Sequence, residues 1–335
     1  MPTDNRDHQG GAIVMRQYGG PDVLHFETVP LAALQPDEIR LRGIASAINH
    51  SDLEIRAGNW PIRRAEPFPY TPGLEVVGEV VEVGSGVSAF RIGDRAITMM
   101  QGLGGVRALR PGGYAEYVVV GASAAATVAA DADPLAMAAL GLASVTAFVG
   151  LQKIGGLANR RIAVTGASGG VGSAGVAIAK AQGAEVIGIV SRAQHAEYVR
   201  SLGAVETLTA QDIANGALGS ETIDGLLDTV AGKSFAAYVT ALRPGGVLSL
   251  VGAVGGSDVS FDAFRLVDVT LTGYSTESLD GPSLQHAIDA ISEWLRSGVI
   301  VAPSRTLFAL REAAAAHTAL EQHRMQGRVL LVPER

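Results

Sequence analysis

Arg161-Ile162-Ala163-Val164-Thr165-Gly166-Ala167-Ser168-Gly169-Gly170-Val171-Gly172 is the stretch from which the rest of the chain is read. Ile162 to Thr165 is a short run of buried-type residues, as in a strand. A turn rich in glycine follows, then a helical run from Ser173 to Lys180 and a second apolar strand, Glu185 to Val190. Strand, turn, helix and strand make a βαβ unit of about 30 residues. A turn without large side chains lets backbone N–H groups approach a pyrophosphate. The helix that starts there adds unpaired N–H donors and a positive dipole end. The candidate cofactor contacts are therefore Gly166, Ser168, Gly169, Gly170, Val171 and Gly172. The spacing is Gly-x-x-Gly-x-x-Gly, with Ala167 where the common dinucleotide fingerprint has its first glycine. A tight strand-to-helix turn alone would also require glycine. The ordered context favours dinucleotide binding.

The end of the second strand selects between dinucleotides. An enzyme that uses NAD usually places Asp or Glu on the ribose 2′-hydroxyl about 20 residues beyond the glycines. This chain has Val190-Ser191-Arg192, with no carboxylate. A hydroxyl and a guanidinium suit a 2′-phosphate, because Arg forms paired hydrogen bonds to phosphate oxygens. The expected cofactor is NADPH, held at Ser191 and Arg192. The competing reading makes Ser191 a helix cap and Arg192 a solvated surface residue.

With 335 residues the chain is long enough for two domains. A formal charge of −7 argues against a broad nucleic-acid or anionic-membrane surface. No apolar run reads as long enough to span a bilayer. The polar start, Met1 to Gly10, has no signal-peptide core and is expected to fray, which gives a cytoplasmic location by default. There are no cysteines, so disulfides, thiol catalysis and thiolate zinc sites are all excluded.

From Ala12 to Ala122 short β runs alternate with turn residues, which describes a compact β-rich domain. The runs are Ile39 to Ile44, Val76 to Val83, Arg95 to Met99 and Ala115 to Val119. Gly78 within its strand suggests a bend or a close backbone approach. Asp133 caps a helix with Pro134 in its first turn, followed by apolar Leu135 to Val149. Beyond Arg192 a helix covers Gln194 to Leu202, with strands at Val205 to Leu208 and Ile223 to Val230. Phe235 to Leu242 is helical, Pro244-Gly245-Gly246 turns, and strands follow at Val247 to Gly252 and Val269 to Tyr274. This alternation gives a parallel, doubly wound sheet with ligand at the strand C-terminal ends. Gly252, Ala253, Val254, Tyr274 and Ser275 lie at such ends, where they either line a nicotinamide or form ordinary loops. The tail carries helices at Pro282 to Ser297 and Leu310 to Arg324 and a last strand, Arg328 to Val332. His286, His317 and His323 on those helices read as solvated.

Several landmarks occur in order along almost the whole chain: Tyr18-Gly19-Gly20-Pro21-Asp22-Val23-Leu24, Asn49-His50-Ser51-Asp52-Leu53, Pro72-Gly73-Leu74-Glu75-Val76-Val77-Gly78, Gly93-Asp94-Arg95, Gly112-Gly113-Tyr114-Ala115-Glu116-Tyr117 and Gly327-Arg328-Val329. With the glycine turn, they resemble the medium-chain dehydrogenase/reductase superfamily, and within it the zinc-independent quinone oxidoreductase group. The resemblance implies an α/β protein: a GroES-like β-barrel domain from residues 1–134 and 280–335, and a Rossmann domain, a doubly wound parallel sheet, from 135–279. It places the cofactor in a cleft between them and adds Arg328 to the cofactor contacts.

Zinc-dependent members look like Cys-His-x-Asp followed by Gly-His-Glu. Here Asn49 holds the first ligand position, Leu74 holds the histidine position, and no cysteine exists for the third. Without the soft ligands no metal is expected, since carboxylates alone do not make a closed tetrahedral zinc centre. Glu75 then reads as a hydrogen-bonded structural carboxylate. Chemistry without a Lewis acid suits acceptors that delocalise negative charge, such as quinones and conjugated carbonyls.

By resemblance Asn49 lies beside the nicotinamide ribose and Thr146 near the nicotinamide. The alternatives are a turn-forming Asn and ordinary helix packing. His50 either relays a proton or is an exposed helix residue. Arg56 either fixes the barrel through a carboxylate or reaches an acidic substrate. Glu54 stands where some quinone reductases have tyrosine. Gly58-Asn59-Trp60 replaces the Gly-Asn-Tyr of enoyl thioester reductases. An indole N–H is no useful proton source, so Trp60 forms an aromatic wall for a flat substrate or packs under the loop Pro61 to Pro72.

The leading expectation is an NADPH-dependent reductase of quinones or α,β-unsaturated carbonyls. A stand-alone enoyl-thioester reductase and a non-catalytic NADPH-binding sensor or structural protein are the alternatives. The apolar sixth strand, Val269 to Gly273, would lie at a sheet edge, and such an edge is covered or paired. The expected partners are a small-molecule substrate and a second copy of the chain, with no nucleic acid and no membrane.

Overall fold

The structure is a computed structural model that describes residues 9–322 and 327–334. His323 therefore lies outside the described residues, as do the first eight of the stretch expected to fray. Within that stretch Gln9 and Gly10 are ordered, because β1 (Gln9–Val14) pairs antiparallel with β2 (His25–Pro30). The chain divides into two compact units. One contains Met1–Leu142, Glu277–Arg296 and Val301–Arg335. The other contains Ala143–Thr276 and Ser297–Ile300.

The first unit is organised on β3 (Glu38–Ala47), which pairs antiparallel with β4 (Glu75–Val83) and β6 (Tyr117–Gly121). Next to β4 lies β5 (Arg95–Met99), followed by β7 (Ala125–Val128). Ile39, Leu41, Val76, Val80, Ala96, Val118 and Val120 are buried in one cluster, drawn from alternate positions of these strands, as the two-residue period of a half-buried strand requires. Gly78 does sit at a close approach: a Cβ there would lie 2.8 Å from the Arg42 carbonyl oxygen. The β3–β4 register shifts at this point, between Gly43 and Ala45. Between β3 and β4 the chain forms α1 (His50–Ala57), which ends at Gly58 with φ +84°, a conformation that glycine adopts without steric cost.

Helix α2 (Pro134–Gln152) begins as expected, with the Leu135 N–H donating to Asp133 Oδ1 at 2.9 Å. Two features depart from the sequence reading. The helix is broken at Gly141, at φ 27° and ψ −132°. At 19 residues it is also long and apolar enough to cross a membrane, contrary to the expectation that no stretch reaches that length, and 83% of its most apolar 18-residue stretch is buried inside the protein. The division between the units falls after Leu142, within this helix.

The second unit is a six-stranded parallel sheet. Its elements are β8 (Arg161–Thr165), α3 (Gly170–Ala181), β9 (Glu185–Val190), α4 (Ala196–Ser201), β10 (Glu206–Thr209), α5 (Ala210–Ala214), β11 (Ile223–Asp228), α6 (Phe235–Ala241), β12 (Leu242–Leu250) and β13 (Thr270–Gly273). The strand order is β10-β9-β8-β11-β12-β13, the 3-2-1-4-5-6 order of a doubly wound dinucleotide fold. β13 is an edge strand, as expected. Ala163, Ile187, Leu226, Val239 and Leu248 are buried in its core.

Pro244-Gly245-Gly246 does not separate helix from strand. β12 starts at Leu242 and absorbs the three residues in a bulge, with Ile223 opposite Leu242 but Gly225 opposite Val247. Gly245 at φ +79° takes up the extra length.

The tail completes the first unit with α7 (Gly281–Arg296), β14 (Arg305–Ala309), α8 (Ala313–Glu321) and β15 (Arg328–Val332). β15 joins β3 antiparallel, with Leu330 opposite Ala47 and Leu331 opposite Ser46. It also pairs parallel to β14, a strand the sequence reading did not anticipate.

Candidate active site

In the second unit the candidate residues gather where the parallel strands end. Gly166 follows β8 at φ +57°, and a Cβ on it would lie 2.4 Å from Thr229 Oγ1. Gly169 caps α3 with extended backbone, φ −80° and ψ 177°, and is exposed. The Ser173 N–H donates to the Gly169 carbonyl at 2.9 Å. The N–H groups of Gly170, Val171 and Gly172 precede that bond, so helix geometry gives them no carbonyl of their own turn. Gly172 is required by packing: its Cβ would fall 2.2 Å from the Gly166 carbonyl oxygen. Ser168, Gly170 and Val171 are half-buried around the turn. This cradle of backbone donors fits a dinucleotide pyrophosphate.

Ser191 and Arg192 are exposed just past β9. Gly252, Ala253 and Val254 follow β12, with the Gly252 N–H donating to the Asp228 carbonyl at 3.3 Å. Tyr274 and Ser275 follow β13, and the Tyr274 N–H donates to the Leu250 carbonyl at 3.0 Å. Thr146 is buried on α2.

The turn is braced by residues that the sequence reading passed over. Asp228, fully buried at the end of β11, accepts at Oδ1 from Thr165 Oγ1 (2.6 Å), Val230 N (2.9 Å) and Ala231 N (3.0 Å). Thr229 N in turn donates to Thr165 Oγ1 at 2.8 Å, and Thr229 Oγ1 donates to the Thr165 carbonyl at 2.9 Å. The available signal was a carboxylate placed directly after the apolar pair Leu226-Leu227 at the C-terminal end of the strand Ile223 to Asp228.

In the first unit Asn49 ends the loop into α1 and is buried. Its backbone N–H donates to Asp52 Oδ2 at 2.8 Å. Its side chain turns to other partners: Nδ2 donates to Glu75 Oε1 at 2.8 Å, and Oδ1 accepts from Arg328 Nη2 at 2.7 Å. The two assignments given to Asn49 and Arg328 thus meet in one cluster. Glu75, 1% exposed, also accepts the Leu142 N–H at 2.7 Å and lies 3.4 Å from Arg328 Nη2. Burial raises the Glu75 carboxyl above its ordinary range, opposed by Arg328, Asn49 and the Leu142 N–H. Burial pushes Asp52 up to about 7, opposed first by the Asn49 N–H. Leu74, at the position where zinc-dependent members carry histidine, is buried, and among the described residues no group of three or more His, Asp or Glu forms a metal-ligand set.

His50 is exposed and faces Glu54 one turn on, 3.4 Å away. The Trp60 backbone N–H donates to the Glu54 carbonyl at 3.1 Å, so Glu54 and half-buried Trp60 sit together where α1 ends.

His317 is not solvated but fully buried. Its Nδ1 lies 3.4 Å from Arg56 Nη1 and its Nε2 3.3 Å from the Tyr114 hydroxyl. A guanidinium only donates, so Nδ1 is the acceptor and Nε2 carries the proton. Burial, reinforced by Arg56, pushes this imidazole down to about 3. Arg56 itself pairs with Glu321 and donates to the Gly19 carbonyl at 3.1 Å. It fixes the fold of the first unit and does not face solvent.

Comparison with known proteins agrees with this architecture. Residues 35–130 match the family of the alcohol dehydrogenase GroES-like domain, and residues 170–293 match that of zinc-binding dehydrogenases. A 2-haloacrylate reductase of a Burkholderia species is 30% identical over 343 residues, covering 96% of this chain and 99% of its own. The quinone oxidoreductase of Rattus norvegicus is 28% identical over 313 residues, covering 91% and 92%. The crystal structure of Escherichia coli quinone oxidoreductase complexed with NADPH superposes with a TM-score of 0.84 at 26% identity, covering 96% of this chain and all of that one. The chain therefore belongs to the medium-chain dehydrogenase/reductase superfamily, in its quinone oxidoreductase-like group, and is an oxidoreductase that takes a nicotinamide cofactor.

Proposed function

We propose that the protein is an NADPH-dependent, metal-free reductase that transfers hydride to a quinone or an α,β-unsaturated carbonyl. The observation that carries the cofactor choice is the exposed Ser191-Arg192 pair at the end of β9, where an NAD enzyme would present a carboxylate. The N–H groups of Gly170 to Gly172 would take the pyrophosphate, and Arg192 with Ser191 the 2′-phosphate. When bound, the nicotinamide supplies the hydride. Asn49, held by Glu75 and Arg328, orients the reacting end, with Thr146 as the second residue of that role. Gly252, Ala253, Val254, Tyr274 and Ser275 line the nicotinamide side.

Asn49 and Leu74 stand where zinc-dependent relatives carry ligands, and the chain contains no cysteine, so the acceptor must itself delocalise the incoming charge. Relatives named for quinones and for 2-haloacrylate, a conjugated acceptor, support that class. Glu54 and Trp60 border the acceptor in this reading, and His50, paired with Glu54, is the titratable group nearest Asn49 in sequence. The reading includes a homodimer and a cytoplasmic location.

The test follows NADPH and NADH consumption with a panel of quinones, simple enones and enoyl thioesters, beside metal analysis of the purified protein. Quinone or enone turnover with NADPH is expected. NADH turnover far above NADPH would refute the role of Ser191 and Arg192. Tight NADPH binding with no turnover on the panel would point to a non-catalytic protein.

A further inference from the structure

We infer that Glu75 is a positioning residue that fixes which end of the Asn49 side-chain amide faces which way; this rests on the reductase reading above and on the place of Asn49 in it. Asn49 sits between a group that only accepts and a group that only donates. Glu75 Oε1, as a carboxylate, accepts a hydrogen bond from Nδ2 at 2.8 Å. Arg328 Nη2 donates a hydrogen bond to Oδ1 at 2.7 Å. Each neighbour admits one polarity, so the amide has one orientation, and a flipped amide would oppose both partners at once.

The carboxylate is itself held from behind. Its second oxygen accepts the Leu142 N–H at 2.7 Å, directly after the break in α2 at Gly141. The notch exists because residue 141 is glycine: a Cβ there would lie 1.8 Å from Glu75 Oε2. Glu75 cannot swing away without breaking its bond to the Leu142 N–H. The backbone of Asn49 is pinned separately by Asp52, which also accepts the Leu74 N–H at 3.1 Å. A chain of donors and acceptors therefore runs from the helix break through Glu75 to Asn49 and Arg328. The carboxylate is its only member that accepts in both directions.

The test is a double-mutant cycle on the full chain with NADPH and a quinone or enone that the wild type reduces. In Glu75→Gln the new carbonyl takes the Leu142 N–H, and its NH2 then faces the NH2 of Asn49. Rotating Asn49 only moves the conflict to Arg328. The kcat is expected to fall by about tenfold or more, while NADPH affinity, followed by fluorescence, stays within about threefold. In an Asn49→Ala background Glu75→Gln should slow kcat no further, because Glu75 acts through that amide.

Equal slowing in both backgrounds, or wild-type kcat in Glu75→Gln beside a slow Asn49→Ala, overturns the inference. Wild-type kcat in Asn49→Ala removes the role of Asn49 first and the inference with it. Should Glu75→Gln fail to fold, Asn49→Asp serves instead, since it sets a second carboxylate against Glu75, with Asp52, Arg328 and Tyr114 as the other ionisable groups nearby. Its kcat should fall as pH rises and recover in acid, where the pair shares one proton. A profile parallel to that of the wild type overturns the inference.

Discussion

The Thr165 hydroxyl donates to Asp228 Oδ1 at 2.6 Å, joining the ends of two neighbouring strands directly beneath the glycine turn. Through Thr229, whose N–H bonds the same hydroxyl at 2.8 Å, the link reaches the residue that Gly166 packs against most closely. Thr165→Val keeps the shape but removes the donor to a fully buried carboxylate and the acceptor of Thr229 N. Such a change is expected to cost about 1–3 kcal/mol of stability. The turn loses its brace, so NADPH affinity should also fall, by about tenfold. Urea denaturation and fluorescence titration with NADPH check the two effects. Unchanged affinity in a destabilised protein would mean the brace serves folding alone.

Arg192 offers a separable test of cofactor choice. Its side chain is exposed beyond β9, so replacement should leave stability within about 0.5 kcal/mol. Arg192→Asp is expected to raise the KM for NADPH by about tenfold or more while sparing or improving NADH, because it removes a 2′-phosphate donor and supplies a ribose acceptor. Steady-state kinetics with both cofactors decide it. Equal effects on the two would show that Arg192 does not meet the 2′-phosphate.

Strand β13 ends the parallel sheet, and the segment before it, Ala263–Val267, exposes Phe264 at 79% and Val267 at 73%. Exposed apolar side chains beside an unpaired edge favour self-association. Light scattering should give twice the monomer mass, and Phe264→Asp combined with Val267→Asp should give the monomer. A monomeric wild type at micromolar concentration would refute the homodimer.

The parallel sheet was legible because its signals are local: glycine spacing, alternating strand and helix, and a turn at each strand end. The departures were decided by partners distant in sequence. Pro244-Gly245-Gly246 reads as a turn from its own residues, yet pairing of β12 with β11 draws it into a bulge. The break in α2 falls at Gly141, a glycine that permits it, but the carboxylate that meets the broken turn is Glu75, 67 residues from Leu142, and nothing within Leu135 to Val149 reports that partner. The landmark residues Asn49, Glu75 and Arg328 were each singled out, but their convergence was not, because it needs β15 beside β3. His317 is buried, contrary to the expectation from its place on a tail helix, and the sequence carries a signal for that burial. Ala313, Ala316 and His317 share the spacing of one helix face, and all three are buried; the alanine run concealed that face.

The buried His317 and Asp52 oppose each other in the pH dependence of stability. His317 has an ordinary value of 6.5 and titrates at about 3 in the fold. The unfolded chain therefore binds the extra proton between those values, and stability is lost as pH falls through that window. Asp52 has an ordinary value of 3.8 and is pushed up to about 7. The folded chain holds that proton, so stability is lost as pH rises from 3.8 towards 7, and Glu75, also raised, pulls the same way. Each full proton is worth about 1.4 kcal/mol per pH unit. Between pH 4 and 6.5 the wild type should thus change little from this histidine and aspartate together. In His317→Gln the histidine contribution disappears, and stability should decline with rising pH relative to the wild type by up to about 1.4 kcal/mol per unit. Asp52→Asn should tilt the profile the opposite way. Urea denaturation at pH 4.5, 5.5 and 6.5 checks both; parallel profiles for His317→Gln and the wild type would mean that the imidazole takes up its proton inside the fold.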